Sequence, residues 1–438
     1  MEMQSGLGKD FWIYRFGKET FTFFYSALMI GISVWVLKEH DSAVELAMIL
    51  GPMQVVSLIT LPLLGPLVDK LSKKRLLLWS EALSIFPLFT VCLLYFSEEL
   101  STTSLAISMV VFQVCRSLYV ATSAVILPCI VNIGQIPNAT AKIQGIDAFV
   151  AIAGGAIGGI IVAAISFGYL VLLVIFALVL SAITIAFINV NETCVTANSN
   201  DSSSKLNQWL SDFILGFKYL YGKRVLLSMS AVLGGITLFL GPLALMLEFM
   251  VIKELELDAK HIGYLFSVLA IGNLAAMFCY SHLSSRINQP IFTILFISLI
   301  GVVLILMGLS HNYWLVLSLL LVIGFANGTV VITLNSLLLT SISEAYRGRV
   351  INLILTTIGI LSPLSITVAA LLLESYSSFQ LFIISGVGVM CIGTFIYLMP
   401  AFKSFLKQNP ARSSVWLRRV YRRKNVYESE EVNNPLSY

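Results

Sequence analysis

An all-α polytopic membrane protein, with twelve transmembrane helices in two pseudo-symmetric six-helix bundles, is predicted by three features of the sequence. The first is composition. Of the 438 residues 58% are hydrophobic and 11% charged, with a mean hydropathy of +0.91, far from the quarter-charged average of soluble domains. The second is repetition: apolar runs of about 20 residues, the length that crosses a bilayer as a helix, recur along the chain. A helix satisfies its own backbone hydrogen bonds, which lipid requires. The third is a short basic stretch, Gly65-Pro-Leu-Val-Asp-Lys-Leu-Ser-Lys-Lys-Arg75, with a degraded counterpart at Ser281-His-Leu-Ser-Ser-Arg286. Leucine and the cation are kept, and Ser285 stands in place of the carboxylate.

In chain order, the runs predict spans over 13–37, 43–64, 76–96, 104–130, 139–166 and 168–189. A second set follows over 225–251, 262–282, 289–309, 313–340, 349–373 and 379–399. Residues 1–190 and 225–400 are thus the expected bundles. Between them, 191–224 is a polar linker whose Asn198–Ser204 portion is flexible in composition. Leu206–Tyr221 places Trp209, Phe213, Phe217 and Leu220 on one face, as a membrane-surface helix would. The tail 401–438 interleaves Lys403, Arg412, Arg418, Arg419, Arg422 and Arg423 with Trp416 and Tyr421. Beside a last span this predicts attraction to anionic lipid headgroups rather than to nucleic acid.

Orientation follows from cations, which favour cytoplasmic loops. With the N-terminus inside, only Lys38, Lys253 and Lys260 of the 27 Lys and Arg residues fall outside, and Arg116 falls within a span. The protein is therefore expected to be a multi-pass protein of the plasma or inner membrane, with both termini in the cytoplasm. Met1–Asp10 is polar and no small-residue cleavage site follows, so no cleavable signal peptide is expected. The six cysteines are scattered without a C-x-x-C, and the four histidines lie far apart. Neither a metal site nor a cofactor is expected.

The loop at Gly65–Arg75 resembles the signature of the major facilitator superfamily, roughly G-x-L-x-D-[RK]-x-G-[RK]-[RK], at its place after the second span. Gly65, Leu67, Asp69, Lys70, Lys73 and Lys74 match, Arg75 extends the run, and Ser72 stands where glycine is usual. The resemblance implies a secondary transporter with a loop that serves the conformational switch. Arg347-Gly-Arg-Val350, before the eleventh span, and Ile126-Leu127-Pro128, leaving the fourth, resemble the macrolide-efflux and siderophore-exporter branch. Arg347 and Arg349 are poised to pair with Asp69 or Glu344 when the cytoplasmic side closes. Gly154-Gly-Ala-Ile-Gly-Gly159 resembles an antiporter signature with Gly155 in place of proline. Gly154, Gly155, Gly158 and Gly159 equally suit close helix packing, and Pro363 can kink the eleventh span.

Charges within spans are costly and should face the interior or a water-filled cavity. Arg116 lies mid-span with Gln113 one turn away, at a position resembling the family's fourth-span arginine of proton-coupled transport. It either couples transport or holds neighbouring helices. Asp147 in the fifth span and Glu19 in the first are candidate proton carriers, because burial can bring a carboxylate to titrate near neutrality. Glu19 is otherwise an interfacial charge buffered by Lys18. Glu81 is expected to pair with loop cations, and Glu248 to lie at the outer headgroup level. Gln54, Asn273, Asn327 and Asn335 are the remaining polar candidates for a cavity with apolar walls.

No Walker A motif, Ser-His-Asp set or H-E-x-x-H appears, which argues against an ATPase or hydrolase. The expected function is export of a small, partly apolar molecule (drug, antibiotic, siderophore or similar metabolite) in exchange for protons. A proton-coupled importer of the same fold and a non-transporting membrane scaffold or sensor are the alternatives.

Overall fold

The structure, a computed structural model, describes residues 7–131, 135–190, 224–284, 289–341 and 344–398. Nearly every described residue is helical. The first group is α1 (Lys9–Glu39), α2 (Ala43–Lys70), α3 (Lys73–Phe96), α4 (Thr102–Ile130), α5 (Ile136–Ala164) and α6 (Phe167–Phe187). The second is α7 (Arg224–Leu240), α8 (Leu243–Phe249) with a π turn over Met250–Glu254, α9 (Ala259–Ser284), α10 (Gln289–Leu309), α11 (Tyr313–Ser341), α12 (Glu344–Leu373) and α13 (Ser378–Leu398). Among the described residues ten helices are long and apolar enough to cross a membrane, and Thr293–Leu309 and Ile358–Leu373 are shorter apolar stretches. The predicted linker segment Leu206–Tyr221 and the basic tail lie outside the described residues.

Serines start several helices by accepting an otherwise unpaired backbone N–H. Ser42 accepts from Glu45 N at 3.2 Å, Ser72 from Arg75 N at 3.4 Å, and Ser101 exchanges bonds with Ser104 as a capping box. Ser72, the departure from the family's glycine, is thus the cap of α3.

Three expectations are corrected. The stretch Gly65–Arg75 is not a loop: α2 continues to Lys70, and only Leu71 and Ser72 separate it from α3. Hydropathy marks where lipid ends, whereas the helix persists while its i→i−4 bonds are made. For the same reason Pro128 lies in the last turn of α4 rather than in a turn beyond it. The seventh run is not one helix. Its last regular bond is Gly241 N to Thr237 O at 2.7 Å, and Pro242, which lacks an N–H, starts α8.

The helices pack in a repeating scheme. In the first group α1 lies on α5 and α6, α2 on α4, and α3 on α4 and α6. In the second α7 lies on α12 and α13, α9 on α11, and α10 on α11 and α13. The groups meet through α5 against α9 and α2 against α12. These junctions run from mid-helix toward the end that carries His40. Gln54 Oε1 accepts from Ser362 Oγ at 2.5 Å, and Ser267 Oγ donates to Ile152 O at 2.7 Å. At the end itself, Lys253 of the π turn is ion-paired with Asp41 of the α1–α2 turn. Glu254 accepts from Ser378 N and Oγ, capping α13. Opposite this "His40 end" lies the "Lys73 end", where α2 turns into α3.

Candidate functional site

The most concentrated charge inside the first group is centred on Arg15, six residues into α1. The residue is 2% exposed. Its Nη2 lies 2.5 Å from Glu19 Oε1, one turn along α1, and 2.5 Å from Asp147 Oδ1 on α5. Glu19 is 8% exposed, while the Asp147 side chain is 49% exposed. Arg15 Nε and Glu19 Oε2 are buried without a hydrogen-bond partner. One guanidinium therefore faces two carboxylates, and one of the two opens to the surroundings. With all three ionised the carboxylates outnumber the guanidinium, and half-buried Lys18, on the same turn of α1, is a further cation whose charge reaches both. A proton on either carboxylate leaves one carboxylate to pair with Arg15.

The sequence reading placed Asp147 and Glu19 here but missed the residue that joins them. Arg15 does not stand out in the sequence, because it lies near the start of the predicted span. The signal was present: Arg15 and Glu19 stand four apart, the spacing that puts two side chains on one helix face. Arg15, rather than Lys18, is the ion-pair partner of Glu19.

Arg116 forms a neighbouring cluster. Its guanidinium lies 4.0 Å from the centroid of the Tyr25 ring and 5.2 Å from that of Phe21, both on α1. With Ser80, Glu81 and Ser84 of α3, Phe112 and Tyr119 of α4 and Leu178 of α6, it lines a cavity of about 10 Å³, room for about one water. Glu81 is corrected here. It is 2% exposed and accepts from Ser181 Oγ of α6 at 2.7 Å, and its Oε2 has no partner. It faces the interior beside Arg116 and is not paired with a loop cation among the described residues. Gln113 is half-buried, and its carbonyl accepts from Ser117 Oγ at 2.8 Å.

The other polar candidates are dispersed. Gln54 ties α2 to α12 through Ser362, beside Pro363. Asn273 turns back on its own helix, with Nδ2 donating to Leu269 O at 3.1 Å. Asn327 is half-buried on α11, and Asn335 is exposed. Glu248 is also corrected: at 5% exposure it lies inside the protein, not at a headgroup surface.

The glycines of α5 divide between two faces. A Cβ at Gly154 would stand 3.1 Å from Ser26 Cβ, and one at Gly158 3.1 Å from Ala27 Cα, both on α1. A Cβ at Gly155 would stand 2.9 Å from Ser267 Oγ, and one at Gly159 2.8 Å from Gly263 Cα, both on α9. The first pair seats α5 within its group, and the second seats it against the other group.

At the Lys73 end, Lys73 is 6% exposed and donates to Leu71 O at 3.1 Å and to Val68 O, at the C-terminus of α2. Lys74 Nζ donates to Ala186 O at 2.7 Å and Ile188 O at 2.8 Å, at the C-terminus of α6. Both lysines meet the carbonyl ends of helices, where cations are favoured. Arg75 is exposed. The side chains of Asp69, Lys70, Arg347 and Arg349, and with them the expected pairing of Asp69, lie outside the described ones, as does the exposure of Gly65.

With this geometry in hand, the chain can be set against known proteins. The family model described as Major Facilitator Superfamily matches residues 20–366. No curated protein sequence matches the chain. Three solved structures share its fold at 13% identity each. A point mutant of the nucleoside transporter NupG has a TM-score of 0.70, over 89% of this chain and 99% of that one. A POT family transporter in complex with a thioalcohol-conjugated peptide has 0.70, over 91% and 96%. A bacterial homologue of the iron transporter ferroportin in its inward-facing state has 0.69, over 92% and 99%. Such low identity speaks of fold alone. The matched family is one of transporters, and with ten apolar helices the chain is a multi-pass membrane protein and not an enzyme. It belongs to the Major Facilitator Superfamily.

Proposed function

We propose that the protein is a secondary active transporter that exports a small, partly apolar molecule in exchange for protons, by alternating access. The observation that carries this reading is the Arg15 centre, in which a buried guanidinium is shared by Glu19 and the half-exposed Asp147. Protonation of Asp147 leaves Arg15 paired one to one with Glu19. Loss of that proton restores the pull of Arg15 between α1 and α5. A cargo that competes for Asp147 or Arg15 then exchanges with the proton. No ATP hydrolysis enters this scheme.

Twelve spans in two six-helix bundles, 1–190 and 225–400, are the architecture on this reading. Support comes from the packing scheme, in which each helix pair of the first group has its counterpart in the second. Repeats of this kind hold the substrate near mid-membrane between the halves. The α5–α9 and α2–α12 junctions favour a state closed toward the His40 end. With both termini in the cytoplasm, that is the outer side of a plasma or inner membrane. The R-G-R-V run at Arg347–Val350 supports the macrolide-efflux and siderophore-exporter branch, and the basic tail suits anionic lipid. Export is tested with inside-out vesicles and a panel of amphipathic compounds. The reading expects proton release on adding a cargo; counterflow of the same compound without any proton movement would refute antiport.

A further inference from the structure

A second buried carboxylate lies near the His40 end, outside the Arg15 centre. Glu248 belongs to α8, the short helix between the Gly241–Pro242 break and the π turn. It is 5% exposed, and Ser33 opposite it on α1 is 1% exposed. The Ser33 hydroxyl is in hydrogen-bonding reach of the Glu248 carboxyl and donates to Met29 O at 3.1 Å. A hydroxyl has one proton. Turned from Met29 O, that one proton can donate to a single oxygen of an ionised Glu248 and leaves the other bare. Glu248 Oε2 has no partner.

Among the described residues no counter-ion pairs with this carboxyl. The helices packed against α8 are α1, α9, α12 and α13, and Ser33 is the one side chain whose interaction with Glu248 is resolved. Toward this end Lys38 and Glu39 of α1 are exposed, His40 meets Glu45, and the charges of the π turn and α9 are engaged elsewhere. Lys253 pairs with Asp41, Glu254 with Ser378, Lys260 with Asp258, and His261 Nδ1 with Asp258 O. A bare carboxylate in such surroundings is strongly disfavoured.

We propose that Glu248 is a second proton-binding site, whose protonation permits the His40 end to close. This rests on the alternating-access reading above. Because α1 and α8 belong to different packing groups, the Glu248–Ser33 contact exists only while the groups are closed there. The protonated acid fits that contact. When the end opens, the carboxyl O–H bond breaks, the proton passes to water, and the carboxylate remains hydrated. Closure takes one proton back. The Gly241–Pro242 break lets α8 move without moving all of α7.

Two readouts on the full-length protein in nanodiscs test this without cargo or transport, so they stand apart from any failure of the antiport assay. The first is the pH-difference infrared spectrum. A protonated-carboxyl C=O band should be lost in Glu248→Gln and shifted in Ser33→Ala. A spectrum identical in both variants to the wild type would overturn the assignment. The second is hydrogen exchange, corrected for its intrinsic pH dependence, in peptides spanning 28–40 and 243–254. Exchange there should rise on going from acidic to alkaline pH in the wild type and stay low in Glu248→Gln, which is always neutral. An equal rise in the variant, or a response to sodium at fixed pH, would overturn the proposal.

Discussion

Arg15 on α1 and Asp147 on α5 are joined by a 2.5 Å ion pair although 132 residues separate them. The guanidinium is buried, and the carboxylate is half-exposed. The asymmetry sets the consequence of breaking the pair. Arg15→Ala strands Glu19 as a buried carboxylate, whereas Asp147→Asn leaves Arg15 with Glu19. Removing one partner of a buried pair costs about 3–5 kcal/mol. Arg15→Ala should therefore lower the thermal unfolding temperature in detergent far more than Asp147→Asn does. Equal shifts would mean that Glu19 does not depend on Arg15.

The α5–α9 contact admits no side chain at Gly159, where a Cβ would meet backbone atoms at 2.8 and 2.9 Å. Gly159→Ala should destabilise the closed state by about 1–3 kcal/mol, as overpacking does. Gly145→Ala has nothing within 4 Å and should be neutral or stabilising by up to about 1 kcal/mol through helix propensity. Thermal denaturation of the two variants side by side checks the contrast.

Arg116 stacks on Tyr25 at 4.0 Å, an arrangement in which lysine is a poor substitute. Arg116→Lys should retain the charge yet lose about 0.5–2 kcal/mol of ring contact. Transport by this variant should fall while Tyr25→Phe stays near wild type. Full activity of Arg116→Lys would show that charge alone suffices.

Lys74 closes the carbonyl end of α6. Lys74→Ala should cost about 0.3–1 kcal/mol, the worth of a cation at a helix C-terminus. Asp69→Asn should instead slow turnover more than it weakens cargo affinity, because the signature stretch serves the switch. Initial rates over a range of cargo concentration separate the two effects. Unchanged turnover with weaker affinity would exclude the switching role.

Among the described residues the predicted apolar runs fall on helices, the seventh on two, because a lipid-facing segment must be both apolar and about 20 residues long. What hydropathy could not locate was hydrogen bonding and direction. It stopped the second span at Leu64, though α2 reaches Lys70, and it ran through the break at Gly241–Pro242. Depth along the chain also failed to distinguish inward from outward. Glu248, close to a span end, points inward, and Arg15, near the start of α1, is among the most buried charged residues. Asp147 and Glu19 were legible as intramembrane carboxylates. Their meeting was not, since it depends on the register of α5 against α1, which Gly154 and Gly158 set by close approach.

The central claim is that the Arg15-held carboxylate Asp147 carries the exchanged proton. The most direct measurement is proton release from energised inside-out vesicles, followed with a pH-quenched dye while amphipathic compounds are added to wild-type and Asp147→Asn protein. The account predicts compound-triggered dequenching in the wild type and none in the variant at equal protein content. Dequenching that survives in Asp147→Asn would contradict it and move the proton carrier elsewhere.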